Sequence, residues 1–195
     1  MNERIVIIGC GHAGTLAANR LRAALHGAGH HITVIDRTDP RDQELDLLVA
    51  LGIHGPGTLL PPEHLRLREG IDLRLAEAAT VDTGRKEVFL TDGTTLPYDV
   101  LVLATGRHRL PSTAVEGRLP LTAGELQTGH RAGVFAVVPA AAASWSAVEQ
   151  PVPSQVESLV SGVRRYLDTR ARLGETLRWG RPAPDGAPGS PAARP

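Results

Sequence analysis

The turn joining the first apolar run to the first helical stretch constrains this chain most. Residues Ile5 to Ile8 lead directly into Gly9-Cys10-Gly11-His12-Ala13-Gly14, a Gly-x-Gly-x-x-Gly spacing. An Ala/Leu-rich stretch follows, then a second strand-like run, Ile32 to Ile35, closed by Asp36. Strand, glycine turn, helix and a strand ending in an acid is the order of a dinucleotide-binding unit. Gly9 permits the tight turn, Gly11 lets the backbone approach a pyrophosphate, and Gly14 lets the helix lie close to the sheet. The helix start, with free N–H groups and the positive end of its dipole, then faces the phosphates. Asp36 stands where a carboxylate accepts hydrogen bonds from the hydroxyls of an adenosine ribose. The same glycines also suit a plain strand-to-helix turn that only relieves steric strain. The company of helix, second strand and terminal acid favours binding.

A chain of 195 residues suits one α/β domain with a real core, alone or with a tail. Basic and acidic residues balance at 21 each, so no bulk field draws the chain to nucleic acid or an anionic membrane. No apolar run reaches the roughly 18 to 20 residues of a membrane span. The first residues enter a strand without a signal-peptide pattern, which predicts a cytoplasmic protein. The one cysteine, Cys10, lies inside the glycine turn, so it forms no intrachain disulfide and reads as a small filler rather than a nucleophile.

The pattern stays α/β further along. Arg41 to Leu51 has amphipathic helical spacing, and the Gly- and Pro-rich Gly52 to Pro62 reads as a loop. Ile71 to Leu75 predicts a third strand. Between Thr80 and Pro97, the turn signals Thr83-Gly84 and Asp92-Gly93 divide Val-, Phe- and Leu-containing segments into an antiparallel meander. Val100 to Leu103 is an apolar strand running into Ala104-Thr105-Gly106, and Gly133 to Val138 is another buried strand. Val156 to Leu167 has helical spacing, with Pro153 and Ser154 near its start. From Trp179 the composition turns to Pro, Gly, Ala and Arg without periodicity. The fold expected is α/β: a Rossmann-like doubly wound parallel sheet with an antiparallel β-meander, one domain over residues 1–172 and a disordered tail over 179–195.

These segments resemble the FAD-binding domain of the two-dinucleotide-binding-domain flavoproteins, the pyridine nucleotide-disulfide oxidoreductase-like proteins. The branch they resemble most holds type II NADH dehydrogenases, sulfide:quinone reductases and ferredoxin or rubredoxin reductases. VIIGCGHAG with ITVID is similar to the family's FAD-binding start, and LLVALGIHGPGTLLPPEHL to its loop and helix beside the flavin. AATVDTGRKEVFLTDGTTLPYDVLVLATG is similar to its meander and Ala-Thr-Gly strand, the most specific of the matches, and LQTGHRAGVFAVV to its last strand. The resemblance implies that Gly9, Gly11, His12, Ala13 and Gly14 line the FAD pyrophosphate. It implies that Asp36 holds the adenosine ribose with Arg37 beside it, that backbone around Ala78 borders the adenine, and that Ala104, Thr105 and Gly106 pass near the phosphates. All of these concern binding; the catalytic residues stay unknown.

Two departures matter. The family inserts a whole NAD(P)H-binding domain after the Ala-Thr-Gly strand, where this chain has only Arg107 to Ala132. Electrons for a flavin would then come from NAD(P)H as an external reductant, from a redox partner protein, or from a substrate. At the end of the last strand the family has Gly-Asp and this chain has Val138-Pro139. Proline offers neither a carboxylate nor an N–H, and losing one charge-assisted bond costs on the order of 1.5 to 3 kcal/mol, or one to two decades in affinity. FAD, an NAD(P)-type or adenine nucleotide, and no cofactor at all remain open on the residues alone.

Other residues divide in the same way. Trp145 either stacks on a flavin, covers the cleft, or packs in the core. The helix beginning near Pro153 would, on the family's architecture, point its N-terminus at the flavin pyrimidine ring. His12 either brushes a phosphate or is a surface residue that the turn tolerates. His54 and His64 flank the Gly/Pro loop with Thr58 and Glu63, as acid–base groups or as solvated side chains. His30 and His31 are adjacent on a strand and cannot share an ion, so no metal site is expected. No Ser-His-Asp or paired-carboxylate spacing occurs.

The functions expected are two of different classes. One is a minimal FAD-dependent oxidoreductase acting on a small organic substrate with a separate electron donor. The other is a degenerate, non-redox nucleotide-binding or interaction module on the same fold; a non-redox enzyme using the same cleft is a third. A surface left bare by the missing domain predicts a homodimer or a heteromeric complex.

Overall fold

The computed structural model describes residues 2–39, 66–105, 133–137 and 152–179, with side chains up to Leu173. The expected helix Arg41 to Leu51, the Gly52 to Pro62 loop and everything after Trp179 lie outside the described residues.

Five parallel strands form the central sheet: β1 (Arg4–Ile8), β2 (His31–Asp36), β3 (Ile71–Leu75), β7 (Val100–Leu103) and β8 (Val134–Ala136). Their order is β3-β2-β1-β7-β8. The second sheet is the antiparallel meander β4 (Ala78–Asp82), β5 (Glu87–Leu90) and β6 (Thr95–Pro97), turning at the two places the sequence marks. Helix α1 (His12–Ala24) links β1 to β2, and helix α2 (Val152–Trp179) follows β8.

Alternation along each strand sorts the core into two layers. Ile5, Ile7, Ile32, Val34, Val100, Val102 and Phe135 face α1 and α2, meeting Ala17, Leu21, Val156, Leu159 and Val163. Val6, Ile8, Ile35, Leu101, Leu103 and Val134 face the meander, meeting Val81, Val88, Leu90 and Tyr98. Among the described residues, helices therefore cover one face and the meander the other. That explains why Val100 to Leu103 is an unbroken apolar run: both of its faces are buried.

Helix α2 is longer than the spacing of Val156 to Leu167 predicts. Proline at 153 falls in the first turn, where its missing N–H has no intrahelical partner to lose, so the helix starts before it. Beyond Leu167 the helix continues without burying further large side chains among those described. At the amino ends of the strands α2 is tied down by charge. Arg170 reaches Glu3 at 3.1 Å and Asp99 at 3.4 Å, and Arg4 meets Asp99 at 3.3 Å. Burial would raise the Asp99 carboxyl, but hydrogen bonds from the Arg4 backbone and guanidinium and from Arg170 outweigh it and hold it below the usual range. His30, half-buried, accepts the Glu3 N–H through Nδ1 at 3.2 Å; burial lowers its pKa against the pull of the Glu3 carboxylate.

A buried asparagine in mid-helix fixes how the chain enters β3. Asn19 on α1 donates to the Arg66 carbonyl at 2.9 Å and accepts from the Arg68 N–H at 2.8 Å. Asparagine is a mediocre helix former, and this two-point clamp is what the position gains from it. Replacing Asn19 with Ala removes both hydrogen bonds to the backbone of the exposed residues Arg66 and Arg68, and should cost about 1 to 2 kcal/mol in urea unfolding with an unchanged m-value.

Candidate functional site

The chain runs from β1 to β2 to β3 on one side and resumes with β7 and β8 on the other side of β1. The strand order therefore reverses between β1 and β7, and ligands of open α/β sheets sit in the crevice at the carboxyl ends there. Several described residues that the sequence singles out converge on this edge. The glycine turn follows β1, Asp36 ends β2, and Ala104 and Thr105 follow β7.

Sterics hold the turn in place. Gly9 has φ +104°, and a Cβ on it would fall 2.4 Å from the Ala104 carbonyl oxygen. A Cβ on Gly14 would fall 1.9 Å from the Gly9 carbonyl oxygen. Both positions accept only hydrogen. Gly11 differs, because a Cβ there would meet no atom within 4 Å. Among the described residues nothing requires glycine at 11, and its missing side chain leaves open space between them at the mouth of α1.

Hydrogen bonds complete the turn. The Gly9 N–H donates to the Ile35 carbonyl at 2.8 Å, and the Ala104 N–H to Ile8 at 2.8 Å. Thr15, fully buried on α1, donates its hydroxyl to the Cys10 carbonyl at 3.0 Å. The Asp36 carboxylate accepts the Cys10 N–H at 2.5 Å and the Thr38 N–H at 3.3 Å. The acid thus faces the turn across one strand spacing. Helix α1 begins with no side-chain cap on its N-terminal N–H groups and no acid in its first turn, which leaves its positive end to an anion.

The remaining residues take definite places. His12 is exposed at the first position of α1, and Ala13 packs against the helix-side core. Arg37 is exposed and pairs with Glu77 at 3.8 Å. Ala78 is buried at the start of β4, and the nearby Ala76 N–H donates to the Asp36 carbonyl at 2.8 Å, which ties this connection to the end of β2. Ala104 is buried and Thr105 half-buried. Gly106, His54, Thr58, Glu63, His64, Val138, Pro139 and Trp145 lie outside the described residues. Cys10 is fully buried, and burial first, then the Asp36 and Asp39 carboxylates, push its thiol up to about 11 against the opposing Thr15 hydrogen bond. It is a filler. No group of three or more His, Cys, Asp or Glu among the described residues is placed to hold a metal, and no helix among them is long and apolar enough to cross a membrane. Sequence reading missed Thr15 and Asn19; the available signal was two polar residues on the inner face of an Ala/Leu-rich helix.

The pyridine nucleotide-disulphide oxidoreductase family matches residues 3–168. This chain belongs to that family. Its members are flavin- and nicotinamide-dependent oxidoreductases, and the glycine turn, Asp36 and the strand ending at Ala104-Thr105 are the parts of this chain that fit a dinucleotide. A probable ferredoxin reductase, CtmF of Castellaniella defragrans, is 38% identical over 109 residues, which is 54% of this chain and 26% of the relative. The chain thus spans about a quarter of that relative's length. Similar solved structures include the ferredoxin reductase for the CYP199A2 system from Rhodopseudomonas palustris, at 28% identity and TM-score 0.42, covering 56% of this chain and 28% of that one. Another is the sulfide:quinone oxidoreductase of Aquifex aeolicus, at 26% identity and TM-score 0.38, covering 53% and 24%. Family membership follows from the match over residues 3–168.

Two outcomes test this geometry. Gly14→Ala should lose at least about 3 kcal/mol by overpacking, whereas Gly11→Ala should stay within about 1 kcal/mol of wild type in thermal unfolding yet lose nucleotide affinity. The unfolded Cys10 thiol ionises at the usual 9.0 and the folded one at about 11, so the unfolded state sheds its proton first. The stability of wild type relative to Cys10→Ala should be flat below pH 9 and fall by about 2 to 3 kcal/mol between pH 9 and 11.

Proposed function

We propose that the chain binds FAD across the carboxyl ends of β1, β2 and β7, and acts as a minimal FAD-dependent oxidoreductase on a small organic substrate. The observation that carries this is the open space at Gly11, set between an uncapped helix start and the Asp36 carboxylate. The backbone of Gly9, Gly11, His12, Ala13 and Gly14 holds the pyrophosphate, Asp36 accepts from the ribose hydroxyls, and Ala104 and Thr105 pass the phosphates. FAD bound there supplies a group that accepts and returns one or two electrons. The protein's part is to bind and orient it.

Electrons come from outside the chain on this reading. The connection from β7 to β8, residues 104–133, is 30 residues long, well below the roughly 50 of a small domain. NAD(P)H meeting an open flavin face, or a redox partner protein, would serve as donor; a ferredoxin reductase, as CtmF is named, passes electrons on to ferredoxin as acceptor. The same short connection favours a second reading, a nucleotide-binding interaction module without redox turnover.

The absorption spectrum of the purified protein tests the proposal. A flavin spectrum that releases FAD on heating is expected, and Asp36→Ala should weaken FAD binding by about one to two decades, the loss of charge-assisted bonds worth on the order of 1.5 to 3 kcal/mol. A colourless protein that takes up no added FAD would overturn it. Bound flavin that neither NADH, NADPH nor a reduced ferredoxin reduces would select the interaction module.

A further inference from the structure

Two large apolar side chains stand open among the described residues, Leu75 at 60% and Leu173 at 59% exposure. Leu173 lies on α2 past its last buried side chain, far along the helix from the site. Leu75 is the last residue of β3 and pairs in register with Asp36, the last residue of β2. Two residues earlier on the same strands, Val34 and Leu73 pack on the helix side of the sheet. Side chains alternate along a strand, so Asp36 and Leu75 leave the sheet on that same side. The hydrogen bond from the Cys10 N–H to Asp36 agrees, because the turn lies there.

Three elements therefore stand in a row along the carboxyl edge: the glycine turn after β1, the acid ending β2, and the leucine ending β3. Neighbouring strands are about 4.8 Å apart. A dinucleotide with its pyrophosphate at the turn and its ribose on Asp36 has spanned the first of these steps. The base, the next flat group beyond the ribose, then reaches β3. We infer that Leu75 is the apolar platform on which the adenine ring of the bound nucleotide rests.

The surroundings keep Leu75 in position. The preceding residue, Arg74, is tied to Asp92 at 3.0 Å and to the Thr94 hydroxyl at 2.9 Å. The following residue, Ala76, is held by its N–H on the Asp36 carbonyl. An apolar side chain fixed in the open beside a ribose-binding acid gains burial from a purine ring and needs no rearrangement to receive it. This inference rests on the nucleotide reading above and adds a residue to it.

Thiol labelling tests it cleanly, because Cys10, the only cysteine in the sequence, is buried and unreactive at neutral pH. Leu75→Cys should react readily with a maleimide. ADP, at a concentration that calorimetry shows to saturate the variant, should slow that reaction in proportion to occupancy, while inorganic pyrophosphate, which has no base, should not. Ala171→Cys, distant on α2, should label at the same rate with or without ADP. Leu75→Ser should weaken ADP binding about 5- to 20-fold. Calorimetric ADP binding with unprotected Leu75→Cys and unchanged affinity for Leu75→Ser would overturn the role of Leu75 alone. Wild type that binds neither ADP nor FAD would overturn the nucleotide reading and this inference with it.

Discussion

Gly14 lies so close to Gly9 that no carbon fits between them, and this contact decides where everything else in the site can be. With Gly9 wedged in turn against the Ala104 carbonyl, the end of β1, the start of α1 and the end of β7 are pressed into one volume. The axis of α1 follows, and so does the position of its first turn, which has no side-chain cap. Asp36 joins the group through the Cys10 N–H, and Thr15 closes the turn from inside the helix. An edge built in this way depends on backbone and on missing atoms, with one carboxylate as its only charged side chain among these contacts.

The two ends of the sheet are held by different forces. At the amino ends, Glu3, Arg4, Asp99 and Arg170 neutralise one another, and Lys86 from the meander reaches the Tyr166 hydroxyl at 3.3 Å, so all three layers are joined there. At the carboxyl ends the glycine turn is fixed by steric contact and short hydrogen bonds, with the exposed ion pairs Arg37–Glu77 and Arg74–Asp92 beside it, and the helix start has no side-chain cap.

Much of this was legible in the sequence because it depends on local rules. The strand Ile71 to Leu75, the strand Val100 to Leu103 and the meander turns at Thr83-Gly84 and Asp92-Gly93 follow from apolar runs and turn residues, and they occur where expected. The extent of α2 was less legible. Its start depends on proline being harmless in a first turn, and beyond Leu167 no further large side chain among those described is buried for periodicity to mark. The clamp of Asn19 on Arg66 and Arg68 could not be read at all, since it joins positions nearly fifty residues apart through the backbone of one of them.

By itself the sequence determined the element types, the glycine turn and the acid that ends β2, because the 2.0 and 3.6 periodicities and the steric needs of a tight turn are properties of neighbouring residues. Only the tertiary structure decided which glycines the packing requires and which one leaves open space. Gly9 and Gly14 collide with backbone if enlarged, and Gly11 faces open space, a distinction that exists only once β7 is laid beside β1. The tertiary structure also decided that Leu75 stands beside Asp36, because register joins the alternating patterns of two strands distant in sequence once they pack on a common core.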